Sequence, residues 1–282
     1  MNTNNDYPSK IIRYISIASE VIRERGLFFF MGFFFKMELN TFLVKFNNIY
    51  SVAYARSFNR PLVHVIGDSH SWAFKRTRSF IVHNIGPATA YNLKNKNSTI
   101  RSNQKLFSEL GRIDLKKDLI ILVFGEIDCR VHIYNQYRKS QNGVTMEEFM
   151  DRAISNYGEV LEQLRNAGVN FVVYGVIPAP KQIFRYPPYA TERMRRELFD
   201  EFRSSYPFLA TPEIRSWINR TFNEKLRAFC EKNGYGYIDI YPEVADQDGF
   251  IADAFSADEI HVNGRIMPFI KSQLKKKYGI MT

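Results

Sequence analysis

Cysteine is nearly absent: Cys129 and Cys230 are the only two in 282 residues. They are too few for a disulfide framework or a four-ligand zinc site, so a reducing compartment is allowed. No apolar run reaches the roughly 20 residues that a membrane-spanning helix needs; Leu27 to Phe35, LFFFMGFFF, comes nearest. The formal charge of +10 is not accompanied by an RNA-recognition or zinc-finger signature, and Lys and Arg are scattered along the chain. A nucleic-acid partner is therefore not expected. The charge points instead to anionic headgroups or to an acidic glycan or nucleotide-linked substrate. Two-metal phosphoesterases need Asn-His and His-x-His ligand sets, and the chain has neither, although Asp68, His70, Asp128 and His132 are isolated residues of ligand type. Neither a metal nor another cofactor is expected, and nothing repeats internally.

What is present is a globular composition, 45% hydrophobic and 24% charged, with an unusual 15% of aromatic residues. The length fits one large α/β domain with an extension. Residues 1–10 are polar and read as disordered, and the extension runs to about residue 58. A secretory signal is disfavoured there, because the lead-in to the Phe run is long, mixes acid with base, and is followed by no small-residue cleavage site. Two readings of the run remain: an interfacial anchor with basic flanks, or an aromatic patch buried against the main domain or another subunit, with packing placed ahead of membrane. Leu39, Phe42, Leu43, Phe46, Tyr50 and Ala53 then recur at helical spacing, which predicts a helix over 38–57. The expected location is the cytoplasm, with residues 11–57 available for peripheral contact at the inner membrane surface or for contact with a second copy.

From residue 59 to 282 buried strands alternate with helices. PLVHVIG, SFIVHN (79–84), DLIILVF (118–124), NFVVYGVI (170–177) and YIDIY (237–241) read as strands. Thr145 and Glu148 form a capping box before one helix, Thr211-Pro212 opens another, and 266–278 reads as the last. Residues 181–210 are irregular and basic, as for a helical insertion over a site. The alternation predicts a three-layer α/β/α sandwich on a central parallel sheet, with reactive groups at the carboxyl ends of the strands.

The organising stretch is Pro61 to Trp72, whose apolar strand ends in Gly67-Asp68-Ser69-His70. A hydroxyl at such a strand-to-helix turn stands beside unpaired backbone N–H groups that could serve an oxyanion. Taken alone, a Gly-Asp-Ser triplet is more often just a polar turn. Asp68 reads as a residue that stabilises the turn, His64 and His83 as satisfied core or rim residues, and Cys129 as an apolar neighbour rather than a nucleophile. His70 and His132 stay open as substrate contacts.

Taken in order, GDSHS (67–71), GPATAY (86–91), GEIDCR (125–130) and DEIHVN (258–263) resemble the blocks of the SGNH or GDSL hydrolases over residues 60–265. They are most similar to a branch of glycan-modifying enzymes. The resemblance implies a flavodoxin-like sheet, a nucleophile at Ser69, a base at His261, an orienting carboxylate at Asp258, an oxyanion donor at Gly86, and substrate-side roles around Glu126 and Asp128. The chemistry is consistent with this: serine needs a base to take its proton, and a carboxylate three residues before a histidine can hold the ring's tautomer. One departure stands out. Where the family has Asn, two residues after the third-block Gly, this chain has Ile127. Arg130 is then either the substitute donor or the partner of a salt bridge to Glu126 or Asp128. The expected function is an esterase or deacylase removing O-acyl groups, O-acetyl foremost, from a carbohydrate or glycoconjugate. Transfer of the acyl group to a glycan and a non-catalytic glycan-binding scaffold are the alternatives.

Overall fold

The computed structural model describes residues 17–140 and 143–280. The expected disorder of residues 1–10 lies outside them. In chain order the elements are a helix over 17–25 (α1), α2 (Leu27–Ser57), β1 (Val63–Gly67), β2 (Phe80–Asn84), α3 (Ser102–Leu110), β3 (Leu119–Val123), α4 (Ile133–Lys139), α5 (Met146–Asn166), β4 (Phe171–Tyr174), α6 (Glu192–Ser205), α7 (Pro212–Lys232), β5 (Gly236–Ile238), α8 (Tyr241–Val244) and α9 (Met267–Tyr278). They divide into two compact units. One takes the described residues up to Phe46 together with Tyr186–Ser205, and the other takes Asn47–Arg185 with the chain from Tyr206 onward. The boundary falls before residue 58 because the end of α2 belongs to the sheet unit, where Ser51 is buried and its Oγ accepts from Ser79 N–H at 3.2 Å.

In the smaller unit, α1 is held to the start of α6 by Glu20, whose carboxylate accepts from Arg193 at 2.6 Å and from the hydroxyl of Thr191 just before that helix. The Phe33 and Tyr189 rings meet edge to face at 5.4 Å. The basic stretch 181–210 does contain a helix, α6. The Phe run is helical and largely exposed: Phe28 is 92% exposed, and Phe29, Phe34 and Phe35 are exposed as well. The run opens α2, whose apolar residues lie on every side over its first turns rather than along one stripe.

The larger unit is built on a five-stranded, wholly parallel sheet in the order β2-β1-β3-β4-β5. Alternation along the strands feeds two cores. Val63, Val65, Leu119, Ile121 and Val123 face one side with Ile270 and Leu274 of α9; Ile66, Ile120, Leu122 and Val173 face the other with α5 and α7. Covering on both faces is why these strands read as continuous apolar runs. The helices start where the caps predict: Thr145 Oγ1 accepts from Glu148 N–H while Glu148 accepts from Thr145 N–H, and Thr211 caps α7 ahead of Pro212. This strand order reverses direction between β1 and β3, the switch point where doubly wound sheets open a crevice at the strands' carboxyl ends. Ser69 follows β1 and Glu126 follows β3, so both chains turn into that crevice.

Candidate active site

β1 and β3 approach so closely at their ends that only glycine fits at residue 67, where a Cβ would stand 2.3 Å from the Val123 carbonyl oxygen. After Gly67, Asp68 turns the chain. Its Oδ1 accepts from His70 N–H at 2.8 Å, and its carbonyl accepts from Ser71 Oγ–H at 2.7 Å. The expected helix is a short 3-10 segment over Ser69–Phe74. This puts Ser69 at its first position, with the Ser69 N–H beside its own hydroxyl.

The final block closes on this turn. Asp258 Oδ1 accepts from the N–H groups of Ile260 and His261 at 3.0 Å each, which folds the loop so that the carboxylate and imidazole of the same segment meet. His261 Nδ1 lies 2.9 Å from Asp258 Oδ1 and 3.0 Å from Oδ2, and His261 Nε2 lies 2.8 Å from Ser69 Oγ. The three residues form a continuous line with the imidazole Nδ1–H donating to the carboxylate, leaving Nε2 to accept the serine proton. Burial raises the Asp258 pKa, but the hydrogen bonds from His261 and Ile260 and the charges of His261 and Arg185 outweigh it and hold the carboxyl at about 2. It is a permanent anion at neutral pH.

Gly86, Asp128 and His70 are placed differently from expectation, while Arg130, His64, His83 and Cys129 take positions the sequence allowed. Gly86 takes a positive φ of 93° and its N–H donates to Asn84 Oδ1 at 2.8 Å, so this proposed oxyanion donor is already engaged. Arg130 forms the salt bridge and not the oxyanion contact: its Nε is 2.7 Å from Glu126 Oε1 and its Nη1 donates to the Ile183 carbonyl at 2.6 Å. Asp128 is fully buried and accepts from the N–H groups of Ala90 and Tyr91 at 2.6 and 3.1 Å, bracing the second-block loop against the third. Burial pushes its pKa up to about 7 against those two hydrogen bonds. His70 is 3% exposed and is not a substrate contact; Asp68, Glu126 and the Ile260 carbonyl surround its ring. His132 packs its ring 4.9 Å from that of Tyr91, away from the triad line. His64 and His83 are linked at 2.9 Å in a chain running from Asp118 to Glu109. Cys129 is buried, and burial with the Asp128 and Glu126 charges drives its thiol pKa well up, so it stays protonated. Among the described residues no group of three or more His, Cys, Asp or Glu side chains is arranged to hold a metal ion.

Three residues at the site were not singled out from sequence. Arg185 Nη1 sits 2.9 Å from Asp258 Oδ2. Trp72, 43% exposed, brings its ring to 6.0 Å from that of His261, and Lys75 Nζ lies 4.0 Å above the indole. Asn84, exposed at the end of β2 and in register with Gly67, holds the start of the second block by accepting from Gly86 N–H. Its position as the last residue of the SFIVHN run was the available signal.

No family model and no curated protein matches the sequence. Among solved structures the chain is similar to a GDSL-like lipase from Bacteroides thetaiotaomicron, at 16% identity and a TM-score of 0.45 over 76% of this chain and 85% of that one. It is also similar to an acetyl xylan esterase, at 13% identity and a TM-score of 0.43 over 77% of this chain and 100% of that one. A psychrotrophic esterase from Pseudoalteromonas is similar at 11% identity and a TM-score of 0.40, over 77% and 96% of the two chains.

Proposed function

We propose that the protein is a serine esterase that removes O-acyl groups, O-acetyl foremost, from a carbohydrate or glycoconjugate through an acyl-enzyme. The observation that carries the reading is the unbroken line of 2.8 and 2.9 Å contacts from Ser69 Oγ through His261 to Asp258. In the forward step Ser69 Oγ bonds to the ester carbonyl carbon as its proton passes to His261 Nε2. The oxyanion meets the Ser69 N–H at the start of the turn. Collapse breaks the bond to the sugar oxygen, which takes the proton back from His261. Water then repeats the sequence on the acyl-serine, releasing the carboxylic acid and restoring the hydroxyl. The half-exposed indole of Trp72 beside His261 favours a carbohydrate, since a flat aromatic face suits the C–H face of a sugar ring.

An acyltransferase would use the same acyl-enzyme with a glycan hydroxyl in place of water. The discriminating experiment is turnover of a small acetyl ester by purified protein with and without a sugar acceptor. Turnover in water that disappears in Ser69→Ala supports the esterase; dependence on the acceptor supports transfer. Wild-type protein that does neither contradicts both and leaves the scaffold.

We infer further that α2 meets a membrane surface. It is long and apolar enough, by length and composition, to cross a bilayer, with a mean hydropathy of 1.5 over 18 residues of which none is buried. Apolar residues on all sides suit lipid better than the single stripe of a helix pair. Lys36 and Glu38 inside the helix disfavour a full span and favour an interfacial seat, with Arg23, Arg25, Arg56 and Arg60 available to anionic headgroups. Flotation with anionic vesicles that is lost when Phe28, Phe29, Phe34 and Phe35 are changed to Ser is the expected result; equal flotation, or concentration-dependent dimerisation without vesicles, contradicts it.

A further inference from the structure

The proposed chemistry leaves a buried charged cluster unused immediately behind the nucleophile turn. His70 Nδ1 is 2.9 Å from Asp68 Oδ1, and its Nε2 is 3.2 Å from the Ile260 carbonyl and 3.4 Å from Glu126 Oε2. Asp68 and His70 bracket Ser69, while Ile260 precedes His261. One imidazole therefore touches the neighbours of both the nucleophile and the base. Both of its nitrogens face groups that can only accept, a carboxylate on one side and a carbonyl on the other, so the geometry calls for two ring N–H donors, an imidazolium.

Beside this ring lies a small cavity at the carboxyl ends of β1, β3 and β4, lined by Asp68, His70, Glu126 and Tyr174 with apolar Val123 and Val176. About 10 Å³ of it is open to the centre of a water molecule. Asp68 Oδ2 and Glu126 Oε2 are both buried without a hydrogen-bond partner, and both residues line this cavity. Room for one water and two to four polar partners is what an internal hydration site requires.

We infer that His70 is a positioning residue that ties the Ser69 turn to the loop of His261, and that the adjoining cavity holds one structural water joining Asp68 and Glu126. The inference rests on the serine esterase reading for its catalytic consequence. Charge favours water over a cation, because the carboxylates of Asp68 and Glu126 are already matched by His70 and Arg130. Burial pulls the His70 pKa down, but the charges of Glu126 and Asp68 and the hydrogen bond to Asp68 prevail and raise it to about 9, against the opposing charge of Arg130. Those groups, with the His261 ring 4.8 Å away and Asp128 just beyond Asp68, are the charged and titratable neighbours from every element packed on it. Deprotonation turns Nε2 into an acceptor facing the Ile260 carbonyl, and the tie to the base loop is lost.

The test uses the full chain. Nitrogen-15 NMR of the wild-type histidines is expected to show one ring protonated on both nitrogens at neutral pH and titrating near 9, absent from His70→Gln. With p-nitrophenyl acetate, His70→Gln is expected to lower kcat by about 10- to 100-fold while KM stays within about twofold, the loss expected of a small misplacement of reacting groups. The wild type's alkaline fall near pH 9 should vanish in that variant. A high-resolution crystal structure is expected to show one water in the cavity, within hydrogen-bond distance of Asp68 and Glu126. A wild-type His70 ring that is neutral at neutral pH overturns the inference whether or not the variants fold. So does a His70→Gln enzyme with unchanged kcat and pH profile, or a dry or cation-filled cavity. If the wild type itself neither labels with a fluorophosphonate nor turns over ester, the esterase reading fails instead, and the NMR and crystallographic arms still decide the structural claim.

Discussion

Arg185 Nη1 stands 2.9 Å from Asp258 Oδ2, so the carboxylate that orients His261 is shared with a guanidinium. The Arg185 side chain is 30% exposed and comes from the irregular segment after β4. It competes with the imidazolium for the same negative charge, and that competition has a sign that can be measured.

Arg185→Ala should move the acid limb of the kcat/KM profile to higher pH. The guanidinium and the imidazolium share one carboxylate, so removing Arg185 strengthens the hold of Asp258 on the protonated, inactive ring. The Asp258 carboxyl, held at about 2, should rise toward the ordinary carboxylate range in the same variant. Because its folded pKa is depressed, its contribution to stability is present above about pH 4 and is lost as pH falls through about 2. An acid limb that does not move would show that solvent screens the guanidinium.

Trp72→Ala should separate binding from chemistry. If the indole stacks on a sugar, KM for an acetylated oligosaccharide should rise by up to about tenfold, equivalent to about 1.4 kcal/mol. Turnover of a small acetyl ester, which reaches only the triad, should stay within about twofold. Equal losses on both substrates would mean that Trp72 supports the His261 ring rather than a sugar.

Gly67→Ala should destabilise the sheet unit. The new Cβ would meet Val123 backbone and side-chain atoms at 2.3 and 2.7 Å, neither of which can swing away. Overpacking of this kind costs about 1 to 3 kcal/mol or more, read as a lower denaturant midpoint with an unchanged slope. An unchanged midpoint would mean that β1 and β3 separate more easily than their paired register implies.

Much of the scaffold was legible because it is written in local pattern. Strands buried on both faces give runs such as LIILV, and caps such as Thr145 and Thr211 mark helix starts without reference to the rest of the chain. Strand ends were less legible, since distant side chains set them. β4 stops at Tyr174 because Val176 N–H is captured by Asn223 Oδ1, and β5 stops at Ile238 because Asp239 N–H goes to Gln273. At the site, Asp258 and His261 are three residues apart and readable together, whereas Arg185 reaches Asp258 from another segment and His70 joins two blocks by its burial alone. Neither pairing leaves a trace in local spacing. Glu126 and Arg130, four residues apart, do leave one, and the salt bridge was among the readings of Arg130 that the sequence left open.

The most direct test of the central claim is fluorophosphonate labelling of purified wild-type protein beside Ser69→Ala, His261→Ala and Asp258→Asn. The account predicts covalent labelling of the wild type at Ser69, none in Ser69→Ala, and labelling slowed by several orders of magnitude, to about 10⁻⁴ of the wild-type rate, in Asp258→Asn, where the imidazole loses its tautomer. Wild-type protein that fails to label while a known serine esterase reacts under the same conditions, or labelling that persists in Ser69→Ala, would contradict it.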